Sequence, residues 1–257
     1  MRKILLVLSL FAAATAGAST LEETFDRTFD ARSNFTLTNT NGHINVRSWD
    51  QAKIQVHAVK KVKAGDADLA KKVMAELRID PTVTADGVSI NTIYPKRENG
   101  GFFSWLAGED VSMDVEYEIT VPRSISLNLE TTNGAIEVDS VKGSHRVTTT
   151  NGHIDLTRCS GDVEAETTNG GIKAELTDVN PGKSIRLETT NGRINVTLPK
   201  TIAARVDAST TNGSVNSDLP VTTTEMRNHR LRGTINGGGA AELKLHTTNG
   251  SITIEAR

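Results

Sequence analysis

The stretch LETTNGRINVTL, residues 187–198, contains the motif that decides the fold. Its Thr-Thr-Asn-Gly core recurs along the chain. Complete copies span residues 131–134, 149–152, 167–170, 189–192, 210–213 and 247–250. A degenerate copy, TNTNG, occupies residues 38–42, and GTING at residues 233–237 is a further candidate. Much of the sequence is therefore one short unit that is repeated.

Each copy predicts two short strands joined at a corner of fixed length. After the corner, apolar Ile194 and Val196 alternate with polar Asn195, and the other copies follow nearly the same pattern. A period of two is typical of strands with one buried face. From Asn133 to Asn212, successive corners lie 18, 18, 22 and 21 residues apart.

Two all-β architectures fit this pattern. An antiparallel β-meander is possible because Asn-Gly between alternating strands is a strong hairpin signal. A β-helix or β-solenoid with about 18–22 residues per coil is also possible, because a fixed period of this size is typical of solenoids. We favour the solenoid, since a meander would need more strands than open sheets usually hold.

The repeated Thr-Thr-Asn-Gly also favours ladders of identical side chains between stacked coils. We expect Gly to accept a positive φ at the corner, and Asn to tolerate left-handed geometry and to bond along the stack. The predicted structural corner consists of Asn133, Gly134, Asn151, Gly152, Asn169, Gly170, Asn191, Gly192, Asn212, Gly213, Asn249 and Gly250.

Residues 1–18 have the pattern of a secretory signal peptide. Arg2 and Lys3 precede an apolar segment, and AGA at residues 16–18 resembles a cleavage site. We expect cleavage after Ala18 and an exported protein without a transmembrane segment, located in the periplasm, outside the cell or on its surface. The formal charge of -2, without a basic cluster, argues against nucleic acid as a partner.

The remaining chain, residues 19–257, is predicted to be a single solenoid domain. Residues 123–257 form its repeat coils, and residues 43–122 form a helix-and-hairpin insertion that caps the amino-terminal end. Within that insertion, Asp66 is a suitable N-cap for a helix over residues 67–77, and Asp86-Gly87 predicts a hairpin. The final coil, residues 243–254, has no following cap, which predicts self-association through its open edge.

The segment KRENGGFFSWLAGED, residues 96–110, is unusually aromatic for this chain. Its apolar residues either contact a partner or membrane, or fold back over the helix or the solenoid end. The candidate binding residues are Phe102, Phe103, Trp105 and Leu106.

No set of residues specifies a reaction, so we predict no catalytic residues, no metal and no cofactor. Glu130, Glu166 and Glu188 share one outward column, where they could act as acid and base or hold a cation. We favour a solvated face on which Lys173 compensates Glu166.

Three further residues are candidates for chemistry and also have simpler interpretations. His43 and His153 each follow a corner, but their spread along the chain argues against metal ligation. Cys159 is the only cysteine, and we expect a small apolar residue rather than a reactive thiol.

The export signal, the TNTNG copy, the helix-bearing insertion, the VEYEITVP strand at residues 115–122 and the serial TTNG repeats together resemble a bacterial family. This is the putative-adhesin domain family of unknown function, related to the head-GIN domain. The resemblance covers nearly the whole mature chain and implies a right-handed, single-stranded β-helix. It implies no catalytic residues.

We therefore expect a non-enzymatic exported envelope or surface protein, with adhesin-like binding or a scaffold role. Its partner would be an envelope protein or glycan. The alternatives are a polysaccharide-active β-helix enzyme and an accessory factor in envelope sensing.

Overall fold

The computed structural model describes residues 10–15, 18–95, 111–178 and 182–257, which form twenty-two strands and one helix. The helix, α1, spans Ala67–Glu76. The strands are β1 (Leu10–Thr15), β2 (Ala18–Asp30), β3 (Asn34–Thr38), β4 (Ile44–Trp49), β5 (Lys53–Ala64), β6 (Arg78–Val83), β7 (Gly87–Ile93), β8 (Ser112–Pro122), β9 (Ser126–Asn133), β10 (Ile136–Asp139), β11 (His145–Asn151), β12 (Ile154–Ser160), β13 (Val163–Asn169), β14 (Ile172–Asp178), β15 (Ser184–Asn191), β16 (Ile194–Leu198), β17 (Ala204–Asn212), β18 (Val215–Ser217), β19 (Val221–Arg227), β20 (Arg230–Ile235), β21 (Ala241–Asn249) and β22 (Ile252–Ala256).

The strands belong to two eleven-stranded sheets, and the corners carry the chain from one sheet to the other. We name the entry sheet after its strands that lead into the corners, and its strand order is β19-β20-β17-β21-β15-β13-β11-β9-β3-β7-β6. We name the exit sheet after its strands that leave the corners, and its strand order is β1-β2-β5-β8-β4-β10-β12-β14-β16-β22-β18. The Asn-Gly pairs therefore connect two sheets and do not close hairpins.

Repeat strands of each sheet run parallel and in register. In the entry sheet, Val147 lies beside Leu129 on one side and Ala165 on the other. In the exit sheet, Ile154 lies beside Ile136 and Ile172. These side chains point between the sheets and are almost completely buried, as the alternating sequence predicted. The repeats thus form an all-β, solenoid-like stack, and the antiparallel meander is wrong for them.

The segment between β4 and β9 extends both sheets at the amino-terminal end of the stack. Strand β8 pairs with β4, and β7 pairs with β3. Helix α1 packs against β5 and β2, and its N-cap residue Asp66 accepts hydrogen bonds from the amides of Asp68 and Leu69. The predicted helix is confirmed, as is the predicted hairpin, in which Val83 pairs with Val88.

The last repeat of the sequence is not the last coil of the stack. Strand β21 lies between β15 and β17, and β22 lies between β16 and β18. The prediction of an open edge at residues 243–254 is therefore wrong, because both edges of this coil are already paired. Self-association through that edge loses its structural basis.

Strands β19 and β20 close the carboxyl end of the entry sheet. Strand β20 pairs antiparallel with β17, and β19 pairs antiparallel with β20. The GTING candidate at residues 233–237 lies at the end of β20 and in the following turn, so it is not a corner.

Some sequence predictions fall outside the described residues. These include the aromatic segment with Phe102, Phe103, Trp105 and Leu106, and residues 1–9, 16 and 17 of the export signal. Residues 10–15 of that signal form β1, which pairs antiparallel with β2, and cleavage after Ala18 stays a prediction. Within the described ranges, α1 is ten residues long, and no helix there could cross a bilayer.

Candidate functional site

A ladder of asparagine amides runs along the corner edge of the stack. The Nδ2 of each asparagine donates to the Oδ1 of its neighbour at 2.7–2.9 Å. The order along the ladder is Asn41, Asn133, Asn151, Asn169, Asn191, Asn249 and Asn212. Asn249 precedes Asn212 in the ladder because the last repeat of the sequence is inserted before the coil of Asn212.

The first threonine of each corner is buried and the second is exposed, apart from a half-buried Thr248. The hydroxyl of Thr167 donates to the carbonyl of Gly152 in the neighbouring coil at 2.9 Å. Thr149 makes the equivalent bond to Gly134 at 3.0 Å. The threonines thus bond to backbone carbonyls, and the asparagines alone form a ladder of identical side chains.

The corner glycines allow the coils to approach closely. A Cβ added to Gly170 would lie 2.0 Å from the carbonyl oxygen of Gly152, which no side chain tolerates. The backbones of Gly152, Gly170, Gly192 and Gly213 lie outside the left-handed region, and so do those of the corner asparagines. Our expectation of a positive φ at the corner is wrong at these positions. Gly is required because the neighbouring backbone fills the space of a Cβ.

On the outer face of the entry sheet, two adjacent columns of side chains line a shallow trough. Each of eight strands contributes one residue to each column, with Ser144 and Asp162 lying immediately before their strands, β11 and β13. From the amino-terminal to the carboxyl end of the stack, the first column is Asn34, Ser126, Ser144, Asp162, Ser184, Glu242, Arg205 and Thr234. The second column is Thr36, Asn128, Arg146, Glu164, Arg186, Lys244, Asp207 and Arg232.

Three depressions follow one another along this trough. Their volumes are about 290, 360 and 310 Å³. The first two share Ser144 and Arg146, and the third begins on the next strand of the sheet, β21. The trough therefore runs across the strands of neighbouring coils, and these strands are spaced ~4.8 Å apart.

The chemistry of the trough changes along its length. Near the amino-terminal end it presents the hydroxyl and amide groups of Asn34, Ser126 and Asn128. Toward the carboxyl end, charged side chains pair with one another. Two pairs cross strands: Arg146 lies 2.6 Å from Glu164, and Arg232 lies 2.6 Å from Asp207. Within β21, Lys244 lies 3.1 Å from Glu242.

These ion pairs are exposed, so each contributes little to the stability of the fold. Hydrogen bonding from Lys244 is the main reason that the pKa of the Glu242 carboxyl is lowered. The hydrogen bond from Lys183 lowers the pKa of Asp162 in the same way. Both carboxylates are therefore ionised at neutral pH, and the trough presents fixed charges of both signs.

The predicted glutamate column is present on the entry sheet, outside the trough. Glu166 lies beside Glu188, and Glu188 lies beside His246. Glu188 pairs with Arg186 at 2.8 Å. Lys173 lies on the exit sheet, 3.7 Å from Asp155, so the predicted compensation of Glu166 by Lys173 is wrong.

The residues that follow the corners do not converge. The Nδ1 of His43 accepts a hydrogen bond from the amide of Ala135, and the Nε2 of His153 lies 3.7 Å from Glu137. Among the described residues, no three metal-ligating side chains form a group that could hold an ion.

Cys159 lies in the core of the stack, completely buried. Burial raises the pKa of its thiol to about 11, so the thiol is protonated at neutral pH. The structure thus places it as a small apolar residue.

The trough is not recognisable in the sequence. Its residues occupy the outward positions of the entry strands, where the alternation only predicts polar side chains. Ser, Asn, Arg and Glu at such positions give no signal before the register of the coils is known.

Comparisons with known proteins bear on the family. Similar solved structures include a putative cell adhesion protein from Clostridium sporogenes, with 14% identity, coverage of 91% of this chain and 100% of that chain, and a TM-score of 0.46. The match to a putative adhesin from Bacteroides fragilis has 14% identity, covers 91% of this chain and 97% of that chain, and has a TM-score of 0.29. The match to a putative lipid binding protein from Parabacteroides distasonis has 12% identity, covers 91% of this chain and 96% of that chain, and has a TM-score of 0.24. A comparison with curated proteins gives no match.

The family model described as Toastrack DUF4097 matches residues 109–255, more than half of the 257-residue chain. This segment contains the six complete Thr-Thr-Asn-Gly corners and seven of the eight strands of the trough. The resemblance to the putative-adhesin domain family is confirmed, and the chain belongs to the Toastrack DUF4097 family.

Proposed function

We propose that this protein is a non-enzymatic envelope protein that binds a linear polar polymer, an envelope glycan, along the trough of the entry sheet. The observation that carries the proposal is the alignment of three depressions across eight in-register strands. A repeated surface of this kind suits a ligand that also repeats.

The chemistry of the trough supports a polar ligand. Hydroxyl and amide groups such as Ser126 and Asn128 offer both donors and acceptors, and Arg146 and Arg186 offer planar guanidinium groups. Each coil contributes only a weak contact with an exposed ligand. Several contacts on one polymer act together, because every contact after the first becomes intramolecular.

The proposal includes export, with cleavage after Ala18 and a location in the periplasm or on the cell surface. It also includes right-handed winding with 18–22 residues per coil. The in-register bonds between Asn133, Asn151 and Asn169, each 18 residues from the next, support that coil length. The capping role of residues 43–122 belongs to the same proposal.

The binding test uses purified envelope glycans and two matched double variants. Arg146→Ala with Arg186→Ala removes two cations from the trough. Lys173→Ala with Arg193→Ala removes two exposed cations outside the trough. Lys173 lies on the exit sheet, and Arg193 lies at the corner. We expect the trough variant to bind at least about tenfold more weakly, because two charged contacts are lost, and the control variant to bind like the wild type.

Equal binding by both variants, or no binding of any glycan, would contradict the proposal. Reproducible cleavage of a glycan that Glu166→Gln abolishes would favour the polysaccharide-active enzyme instead. Recovery of an envelope sensor protein with the wild type and both variants would favour the accessory role in envelope sensing.

The contact role of Phe102, Phe103, Trp105 and Leu106 stays a prediction, to be tested by comparing Phe103→Ser and Trp105→Ser in binding and thermal melting.

A further inference from the structure

The asparagine ladder is closed at its amino-terminal end. Asn41 is its first member, and the Nδ2 of Asn41 donates to the carbonyl of Met113 at 3.2 Å. The Oδ1 of Asn41 accepts from Asn133. The amide of Gly42 donates to the backbone carbonyl of Asn133 at 2.8 Å. Both side-chain polar atoms of Asn41 and the following backbone amide are therefore held.

Interior members of the ladder are held in the same way. The Nδ2 of Asn151 donates to Asn133 at 2.7 Å, and its Oδ1 accepts from Asn169 at 2.8 Å. The amide of Gly152 donates to the backbone carbonyl of Asn169 at 3.0 Å. Three hydrogen bonds thus fix the side-chain amide and the nitrogen that follows it in the chain.

The carboxyl end of the ladder differs. The Nδ2 of Asn212 donates to Asn249 at 2.8 Å. The turn between β19 and β20 then covers part of this end, where the Nδ1 of His229 lies 2.7 Å from the carbonyl oxygen of Gly213. Within the described part of the chain, no donor reaches the Oδ1 of Asn212, and the amide of Gly213 donates to no acceptor.

We propose that Asn212 is the ladder residue at which this protein deamidates spontaneously. Asn-Gly pairs are chemically prone to this reaction because Gly places no side chain near the attacking nitrogen. The backbone nitrogen of Gly213 attacks Cγ of Asn212 and forms a succinimide. The Cγ–Nδ2 bond breaks, and the nitrogen leaves as ammonia with the proton from the Gly213 amide. Water then opens the ring to aspartate or isoaspartate.

The hydrogen bonds explain why the reaction is selective among the seven Asn-Gly pairs of the ladder. Attack requires the glycine amide to lose its proton and the side-chain amide to rotate toward it. Interior pairs must first break the bond of the glycine amide and the bond to Oδ1. The Asn212-Gly213 pair has neither bond, so it reaches the reactive geometry with less disruption.

Deamidation at this position changes the end of the stack. The amide donor to Asn249 is replaced by a carboxylate oxygen, which faces the Oδ1 of Asn249 without a proton to share. Isoaspartate would also lengthen the backbone inside the corner. The coil that carries Arg205 and Asp207 would loosen, and with it the carboxyl end of the trough.

The experiment incubates the folded full chain at mildly alkaline pH and follows each Asn-Gly peptide by mass spectrometry. We expect conversion at Asn212 to be at least about tenfold faster than at Asn151 or Asn169, because two fewer hydrogen bonds must open. In denaturant, where the ladder is absent, the rates at these positions should converge.

A second variant tests the cause. Asn249→Ser removes the amide that donates to the Oδ1 of Asn191, whereas Gly192 keeps its bond to the backbone carbonyl of residue 249. We expect the conversion rate at Asn191 to rise to an intermediate value. Equal rates across the folded ladder would overturn the proposal, as would an unmodified Asn212 in folded protein when the denatured sample converts. An unchanged rate at Asn191 in the Asn249→Ser variant would show that the ladder bonds are not the cause.

Discussion

At the scale of single residues, three of the four positions of the Thr-Thr-Asn-Gly corner have separate tasks. The buried threonine supplies a donor to a carbonyl of the next coil, and the asparagine joins the amide ladder. The glycine leaves room for the neighbouring backbone. The asparagine ladder needs the same side chain in the adjacent coil, whereas the threonine and the glycine need only the backbone of that coil close by.

Two consecutive glycines allow the close approach to be tested within one corner. A Cβ at Gly170 would lie 2.0 Å from the oxygen of Gly152, whereas a Cβ at Gly171 would lie 3.2 Å from its nearest atom, the oxygen of Arg193. We expect Gly170→Ala to lower the free energy of unfolding by about 2–3 kcal/mol through overpacking. Gly171→Ala should cost less than about 1 kcal/mol. Equal losses in chemical denaturation would show that close approach does not explain the glycine.

The two threonines of the corner form a second matched pair. Thr167 is 2% exposed and donates to Gly152, whereas Thr168 is exposed. Thr167→Val keeps the shape but removes the donor, so we expect a loss of about 1 kcal/mol in the free energy of unfolding. Thr168→Val should change it by less than about 0.5 kcal/mol. A similar melting temperature for both variants would contradict the assigned role of the buried hydroxyl.

At the scale of elements, β11 has a histidine at an inward-facing position where both neighbouring strands have an aliphatic residue. His145 is 1% exposed and lies beside Leu127 and Val163 in adjacent strands. Its Nε2 lies 3.2 Å from the carbonyl oxygen of Val141. Burial disfavours the charged imidazole and lowers its pKa below the ordinary value of 6.5. The histidine is therefore neutral in the folded protein at neutral pH.

This burial predicts a pH-dependent stability. Below pH 6.5 the unfolded chain binds a proton at His145 more readily than the folded chain. The contribution of His145 is therefore fully present above that pH and is lost as the pH falls, by up to about 1.4 kcal/mol per pH unit. His145→Leu should flatten this part of the profile of unfolding free energy against pH. The exposed His153→Gln control should keep the wild-type profile; a wild-type profile in His145→Leu would place the acid sensitivity elsewhere.

At the scale of the whole molecule, the order of coils differs from the order of repeats. The coil of β21 and β22 fills a gap between two coils that precede it in the sequence. The chain reaches this gap after the antiparallel strands β19 and β20. The carboxyl-terminal repeat is thus an interior part of the stack, with a paired coil on either side.

Truncation distinguishes this arrangement from a sequential solenoid. A chain that ends at Gly239 lacks the interior coil, so β17 loses its parallel partner and β15 loses one of its two neighbours. We expect hydrogen exchange to accelerate in both β15 and β17, because each loses ladder bonds along a whole strand. In a sequential solenoid, only one neighbouring coil would lose protection. Unchanged exchange in β17 would contradict the interior position.

The sequence by itself determined the repeating unit, the buried face of each strand, the helix after Asp66 and the hairpin at Asp86-Gly87. These features depend on local periodicity and turn chemistry, which are visible within one repeat. The family could also be recognised from the layout of these motifs. The reason for glycine at the corner could not be recognised, because the atom that excludes a side chain belongs to another coil. At Gly170, for example, this atom is the carbonyl oxygen of Gly152.

Only the tertiary structure decided which coils are neighbours. Every corner carries the same donors and acceptors, so Asn191 could pair equally well with Asn212 or Asn249, and the sequence contains no local signal that chooses between them. The trough depends on the same decision, because Arg186 lies beside Lys244 only when the last repeat is inserted. Identical repeats fix the geometry of each contact, but the path of the connecting chain through β19 and β20 fixes the order of the coils.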